Sequence, residues 1–229
     1  MWQKTAVYQG LIEVTDKLAV MGLTVKILSD AILAGEAARD MCTANDPQTA
    51  AGYDAWARAT KSLREQLTTQ GWERSDEGGL PVIVSRSGDL AVTVATGDEN
   101  TGWTVDGNTG HPVSPRTKYA KGATTIALVT LNRIQPDFWE PDREEITVPD
   151  PTRKTWFLLR IRDGESVRAE LSLPAAIGDD GHVEEWLDRI ILPPISLKPG
   201  GGILEQPSPD SGDERGIEID VPVRRRSQQ

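Results

Sequence analysis

Thr155-Trp156-Phe157-Leu158-Leu159-Arg160-Ile161, then Arg162-Asp163-Gly164-Glu165-Ser166, then Val167-Arg168-Ala169-Glu170-Leu171-Ser172-Leu173 is the stretch that decides the fold. Two runs rich in branched and aromatic residues flank a short polar segment containing Gly, the signature of a β-hairpin. In the second run Val167, Ala169 and Leu171 alternate with Arg168 and Glu170, so successive side chains point to opposite faces and the polar face is expected to meet water. An antiparallel sheet with one covered face is the implied core.

Working outward, a second hairpin precedes it. Leu80-Pro81-Val82-Ile83-Val84-Ser85 and Leu90-Ala91-Val92-Thr93-Val94-Ala95 are separated by Arg86-Ser87-Gly88-Asp89. Between the hairpins, 97–122 reads as a loop rich in Gly, Asn, Asp, Thr and Pro. A helix is predicted from near Ala123 to Pro136, with a polar connection from Asp137 to Pro151. Past the decisive hairpin, a short helix is predicted around Val183 to Asp188, with His182 at its start. Arg189-Ile190-Ile191-Leu192-Pro193-Pro194 then reads as an edge strand closed by proline.

The first third is helical by periodicity. Leu11, Val14, Leu18 and Met21 form one stripe before Gly22. Ser29 is the expected cap of a second helix carrying Ile32, Leu33, Ala37 and Met41. Asn45-Asp46-Pro47 is the expected start of a third, whose face is Tyr53, Trp56, Ala57, Thr60, Leu63 and Leu67 before Gly71. The fold class is therefore α+β: a helical N-terminal region packed with a largely antiparallel sheet built from two hairpins, plus a flexible C-terminal tail. The expected organisation is a helical region over 1–71, an α+β region over 72–197, and a linker and tail over 198–229. In the tail, Gly216-Ile217-Glu218-Ile219-Asp220-Val221-Pro222-Val223 alternates apolar and acidic residues and reads as a docking strand for the body or a partner's sheet edge.

Composition narrows the function. The chain has 229 residues, a formal charge of −10 and one cysteine, Cys42. That balance opposes broad binding to DNA or anionic lipid, and one cysteine rules out an internal disulfide framework. No run approaches the apolar length needed to cross a bilayer, so the expected location is the cytoplasm, with no membrane partner. Trp 7 outnumbers Tyr 3 and Phe 2, and the tryptophans are spread along the chain, as core anchors are.

Chemical motifs are few. The two histidines, His111 and His182, and Cys42 show no zinc spacing, so no cofactor is expected. Asp89, Asp98 and Glu99 are weak candidates for a carboxylate metal site and otherwise solvate turns. Neither a Gly-x-Ser-x-Gly elbow nor a phosphate-cradling glycine loop occurs. The strongest local candidate is the basic loop Pro115-Arg116-Thr117-Lys118-Tyr119-Ala120-Lys121-Gly122. It leads into a helix N-terminus, where free N–H groups and the helix dipole attract anions. Arg116, Lys118 and Lys121 would add charge there and Tyr119 could stack on a base. The alternative is a surface loop whose cations offset neighbouring acids. Two acidic stretches, one from Asp137 to Asp150 and one from Asp179 to Asp188, are solvated surface or a contact array. Arg224-Arg225-Arg226 adds a weak nucleic-acid signal.

Several stretches are similar to bacterial proteins carried on plasmids, integrative elements and prophages, a group with no assigned activity. They are Tyr53-Asp54-Ala55-Trp56-Ala57-Arg58, Leu63-Arg64-Glu65-Gln66-Leu67, Ala95-Thr96-Gly97-Asp98-Glu99, Val167 to Pro174, Arg189-Ile190-Ile191-Leu192-Pro193 and Ile219-Asp220-Val221. The resemblance implies an accessory gene in conflict between mobile elements and host defences, and transfers no catalytic residue. The expected function is a non-catalytic interaction protein with a protein or nucleoprotein partner. The alternative is a metal-dependent or nucleic-acid-directed enzyme using the first hairpin's acids and the 116–122 loop.

Overall fold

The computed structural model describes residues 5–133 and 153–198, and every structural statement below concerns these. The expected tail strand, the Asp137–Asp150 acids and the terminal arginines lie outside them.

Strands β1 (Ala6–Tyr8), β2 (Glu73–Ser75), β3 (Val82–Val84), β4 (Leu90–Thr96), β5 (Lys154–Asp163), β6 (Ser166–Ile177), β7 (Val183–Ile191) and β8 (Ile195–Ser196) form one sheet. Its order is β1-β7-β6-β5-β4-β3-β2, with β8 also on β6. Both expected hairpins are present, β3–β4 and β5–β6, with antiparallel pairing. The hairpins themselves join in parallel, β4 to β5, as β1 joins β7. The protein is thus α+β with a mostly antiparallel mixed sheet.

Helices α1 (Leu11–Val20), α2 (Val25–Met41) and α3 (Ala50–Thr68) cover one face. Trp156, Leu158, Val167, Ala169, Leu171 and Ile190 from the sheet share one core with Leu18, Leu28, Ile32, Leu63 and Leu67 from the helices. That common core joins the segments on either side of residue 71. Helix α4 (Ala123–Arg133) lies on the opposite face, where Phe157, Leu159, Val183 and Trp186 cluster with Val129. Alternation along β5 therefore buries both faces, as Trp156 and Leu158 go to the helices and Phe157 and Leu159 to the other side. No single described helix is long and apolar enough to cross a membrane.

Several local readings move. Helix α2 starts one turn earlier than expected: Thr24 caps it, its Oγ1 accepting from the Ile27 N–H at 3.1 Å, and Ser29 is buried inside. Asn45-Asp46-Pro47 forms a turn ahead of α3, with Asp46 accepting from the Thr43 N–H. Helices α2 and α3 touch through Gly35, where a Cβ would collide with the Ala55 carbonyl oxygen and press on Ala59. The helix expected at Val183–Asp188 is strand β7, and Arg189–Ile191 lies inside the sheet between β6 and β1 instead of at an edge. A strand flanked on both sides satisfies its backbone through its neighbours, which outweighs a weak local helix signal.

The polar face of β6 is the largest departure. Glu170 is 0% exposed and Arg189, beside it on β7, is 3% exposed. This face is covered by the 97–122 loop instead of by water.

Candidate functional site

The loop begins where β4 ends. Gly97 bridges Thr117 in antiparallel fashion, the Asp98 N–H donates to the Arg116 carbonyl at 2.9 Å, and the Lys118 N–H donates to the Thr96 carbonyl at 2.9 Å. Only glycine fits at 97, because a Cβ there would overlap the Thr101 hydroxyl. The return limb then docks on β7: the Thr117 N–H donates to the Val183 carbonyl at 3.0 Å, and Thr117 Oγ1 accepts from the Val183 N–H at 3.1 Å.

Four side chains from the sheet hold the span between these limbs. Arg168 donates to the Glu99 and Thr101 carbonyls, and its guanidinium sits 5.0 Å from the centre of the exposed Trp103 ring. Glu170 accepts from the Gly102 N–H at 2.9 Å, from Ser172 Oγ at 2.6 Å, and from Arg189 at 2.7 and 3.0 Å. Arg189 also donates to the Trp103 and Val113 carbonyls at 2.8 and 2.9 Å. Trp186 Nε1 donates to the Pro115 carbonyl at 2.8 Å. A loop of this composition carries many backbone polar groups, and it can lie on a sheet only if such partners are supplied.

The geometry brings part of the expected site together. Asp98 neighbours Arg116 through the Gly97–Thr117 bridge. Burial pushes the Asp98 carboxyl above its ordinary value, opposed by hydrogen bonds from backbone N–H groups. Arg116 itself is engaged: its guanidinium donates to Asp180 at 2.5 Å and lies 3.3 Å from Glu184. The hydrogen bond to Asp180 holds Arg116 more firmly protonated and, reciprocally, pulls Asp180 below the usual carboxylate value. Lys118 and Tyr119 are exposed. Lys121 is tied by its N–H to the Gly181 carbonyl at 2.8 Å, and burial lowers the affinity of its ammonium for the proton. Glu99 is exposed.

Asp89 stands apart. It accepts from Ser85 and Ser87 in the β3–β4 turn, which lower its proton affinity, the Ser87 bond first. All seven residues of β4 and then Gly97 lie between it and Asp98, and β4 alone spans roughly 20 Å at the rise of a strand. Among the described residues no group of three or more His, Cys, Asp or Glu is placed to hold a metal ion.

His182, read from the sequence as a helix start, instead precedes strand β7 and sits against the basic loop. Its Nδ1 lies 2.5 Å from the Thr117 carbonyl, which can only accept, so Nδ1 carries the proton and Nε2 is the acceptor in the neutral ring. Sequence reasoning missed the Glu170–Arg189 pair. The signal available was the charge at position 170, in the middle of the most apolar hairpin, and the arginine just before Ile190-Ile191.

The fold and this site define an α+β protein whose single mixed sheet carries helices on one face and a strapped loop on the other. Compared with protein families, with curated proteins and with solved structures, the chain matches none.

Proposed function

We propose that this is a non-catalytic accessory protein that works by contact, binding a protein partner through the acidic rim of the β6–β7 turn. One observation carries the reading: several of the charged side chains that a reaction could use are engaged in holding the structure. Arg116 is bound by Asp180 and Glu184, Asp89 by two serines, and Glu170 by Arg189 and the loop backbone. What remains outward is a set of carboxylates on rigid elements. Asp179 and Glu185 are exposed at the end of the β6–β7 pair, beside the Asp180 that Arg116 already pairs, an array suited to a basic protein surface. The resemblance to proteins of plasmids, integrative elements and prophages suggests a nucleoprotein or host-defence component as that surface.

The test is capture from the native host with mass spectrometry, comparing the wild-type chain with Asp179→Lys plus Glu185→Lys. A defined partner retained by the wild type and released by the charge reversal, with no turnover of nucleotides or nucleic acids, is the expected result. Recovery of the bare chain, or a partner indifferent to the reversal, refutes it.

A second reading is favoured by the Asp98–Arg116 juxtaposition beside His182, Lys118 and Tyr119: a nucleic-acid-directed site on the 116–122 loop. It requires salt-sensitive binding to single strands that Lys118→Ala plus Lys121→Ala abolishes. Affinity that survives rising salt, or survives the double substitution, removes it.

A further inference from the structure

The outer span of the 97–122 loop is a rigid hairpin of its own. Val105 bridges Pro112 in antiparallel fashion, and the Val113 N–H donates to the Thr104 carbonyl at 3.0 Å. Asp106 locks the tip by accepting from the Asn108 and Thr109 N–H groups at 2.9 and 2.7 Å. Arg189 holds the base through the Trp103 and Val113 carbonyls. On this hairpin large apolar side chains meet water. Trp72, Trp156 and Trp186 are buried and Trp56 is half-buried, as core anchors are, whereas Trp103 is 51% exposed. Val105 and Pro112, which share a face across their bridge, are exposed too.

The indole is also held in place. Its centre lies 5.0 Å from the Arg168 guanidinium, which is 12% exposed and is fixed by Asp163 and by the Glu99 and Thr101 carbonyls. An exposed aromatic ring ordered on a rigid base loses little conformational entropy when a partner covers it, and Trp is a frequent anchor of protein interfaces for that reason. The charges set around the ring are mainly negative. Glu99 and Asp163 are exposed, Asp106 is half-buried at the tip, and Arg168 is paired with Asp163. Such acids repel phosphate and attract Lys and Arg.

We propose that the Trp103 hairpin anchors the partner interface and takes a basic protein segment, one apolar side chain covering the indole while flanking Lys or Arg residues meet Glu99 and Asp163. The inference rests on the contact reading and gives it a centre. The return limb 113–117 runs from this hairpin to Arg116, whose partners Asp180 and Glu184 border the acidic rim. An apolar anchor surrounded by a charged rim is the common plan of protein interfaces.

The test uses the isolated full chain and synthetic peptides carrying one central Trp, Phe, Leu or Met between Lys- and Arg-rich flanks. Control sets have acidic flanks or a central Ser. Binding is read from the indole N–H resonance of Trp103, identified by its loss in Trp103→Phe. The basic, apolar-centred peptides are expected to shift this resonance and to bind about tenfold or more tighter than either control set. Trp103→Ala should weaken them about thirtyfold, as loss of an anchor residue does, and Glu99→Lys about threefold. The urea midpoint of Trp103→Ala should match the wild type, because Arg189 and Arg168 hold the hairpin by its backbone. If the midpoint falls, Glu99→Lys, at an exposed side chain, carries the test. Absence of a shift with every peptide overturns the proposal, as does equal binding of either control set. A shift with a single-stranded oligonucleotide in place of the peptides also overturns it. A native partner released by Asp179→Lys plus Glu185→Lys but not by Trp103→Ala removes this inference alone and leaves the contact reading standing.

Discussion

Truncating Glu170 tests whether a buried ion pair holds the loop. Glu170→Ala leaves Arg189, 3% exposed, with no carboxylate, and deprives the Gly102 N–H and Ser172 hydroxyl of their acceptor. Removing one partner of a buried pair costs about 3–5 kcal/mol, and domains of this kind are stable by only about 5–15 kcal/mol. The variant should therefore fold marginally, with urea midpoints lowered far beyond the usual range for a surface change. The paired substitution sharpens the reasoning. Glu170→Met with Arg189→Met removes both charges but leaves the Trp103 and Val113 carbonyls and the Gly102 N–H without their partners, each worth about 1–3 kcal/mol if it stays buried. The double variant should stay destabilised, and exchange or proteolysis should report opening of 98–117. The buried pair Arg160–Glu36, at 2.6 Å on the helix face, supplies the contrast, since Arg160 Nε and Nη2 find no acceptor among the described residues. There, Glu36→Leu with Arg160→Met should cost clearly less than the Glu170/Arg189 pair of changes, because no loop backbone depends on it, the residual cost being the carboxylate lost to Arg39 and Arg162. Equal behaviour of the two double variants in urea unfolding would refute the assignment of Glu170–Arg189 as the loop's anchor.

Glu36→Ala alone, with Arg160 left buried and Arg39 and Arg162 left facing one another, should cost about 3–5 kcal/mol in chemical denaturation. Gly35→Leu should separate α2 from α3, lowering stability by about 1–3 kcal/mol or more; an unchanged melting temperature would refute the close contact. The pH dependence has two signs. Asp76, Asp89 and Asp180 bind their protons less readily than the ordinary 3.8, so their contribution is present above that value and is lost as pH falls through the folded values. Asp98 is raised, so its contribution is full below 3.8 and is lost as pH rises through its folded value. Near neutral pH Asp98→Asn should leave stability equal or higher, while Asp89→Asn should lower it and flatten the acid limb; denaturation at pH 3 to 7 checks both.

What could be read from the chain was whatever local periodicity controls. The β3–β4 and β5–β6 hairpins and helices α1 and α3 follow from spacing within ten or twenty residues and are present, although Leu11 and Tyr53 on the expected stripes are exposed and α3 also buries Ala55 and Ala59. The misreadings share one cause. Val183–Asp188 is ambiguous by itself, and pairing with β6 and β1, strands distant in sequence, makes it β7. Arg168 and Glu170 look like a solvated face because alternation says which side a residue takes and not what lies on that side. The basic loop was visible as charge, but the engagement of Arg116 by Asp180, 64 positions away, was not.

The amino-acid order alone determined the fold class, the two hairpins, the N-terminal helices and the poverty of catalytic motifs, since these depend on side-chain type and short-range spacing. Tertiary structure decided which charges are buried and which are free to act. Ion pairing and desolvation depend on distance in space, and folding sets Glu170 against Arg189 and Arg116 against Asp180, partners that the local pattern does not specify.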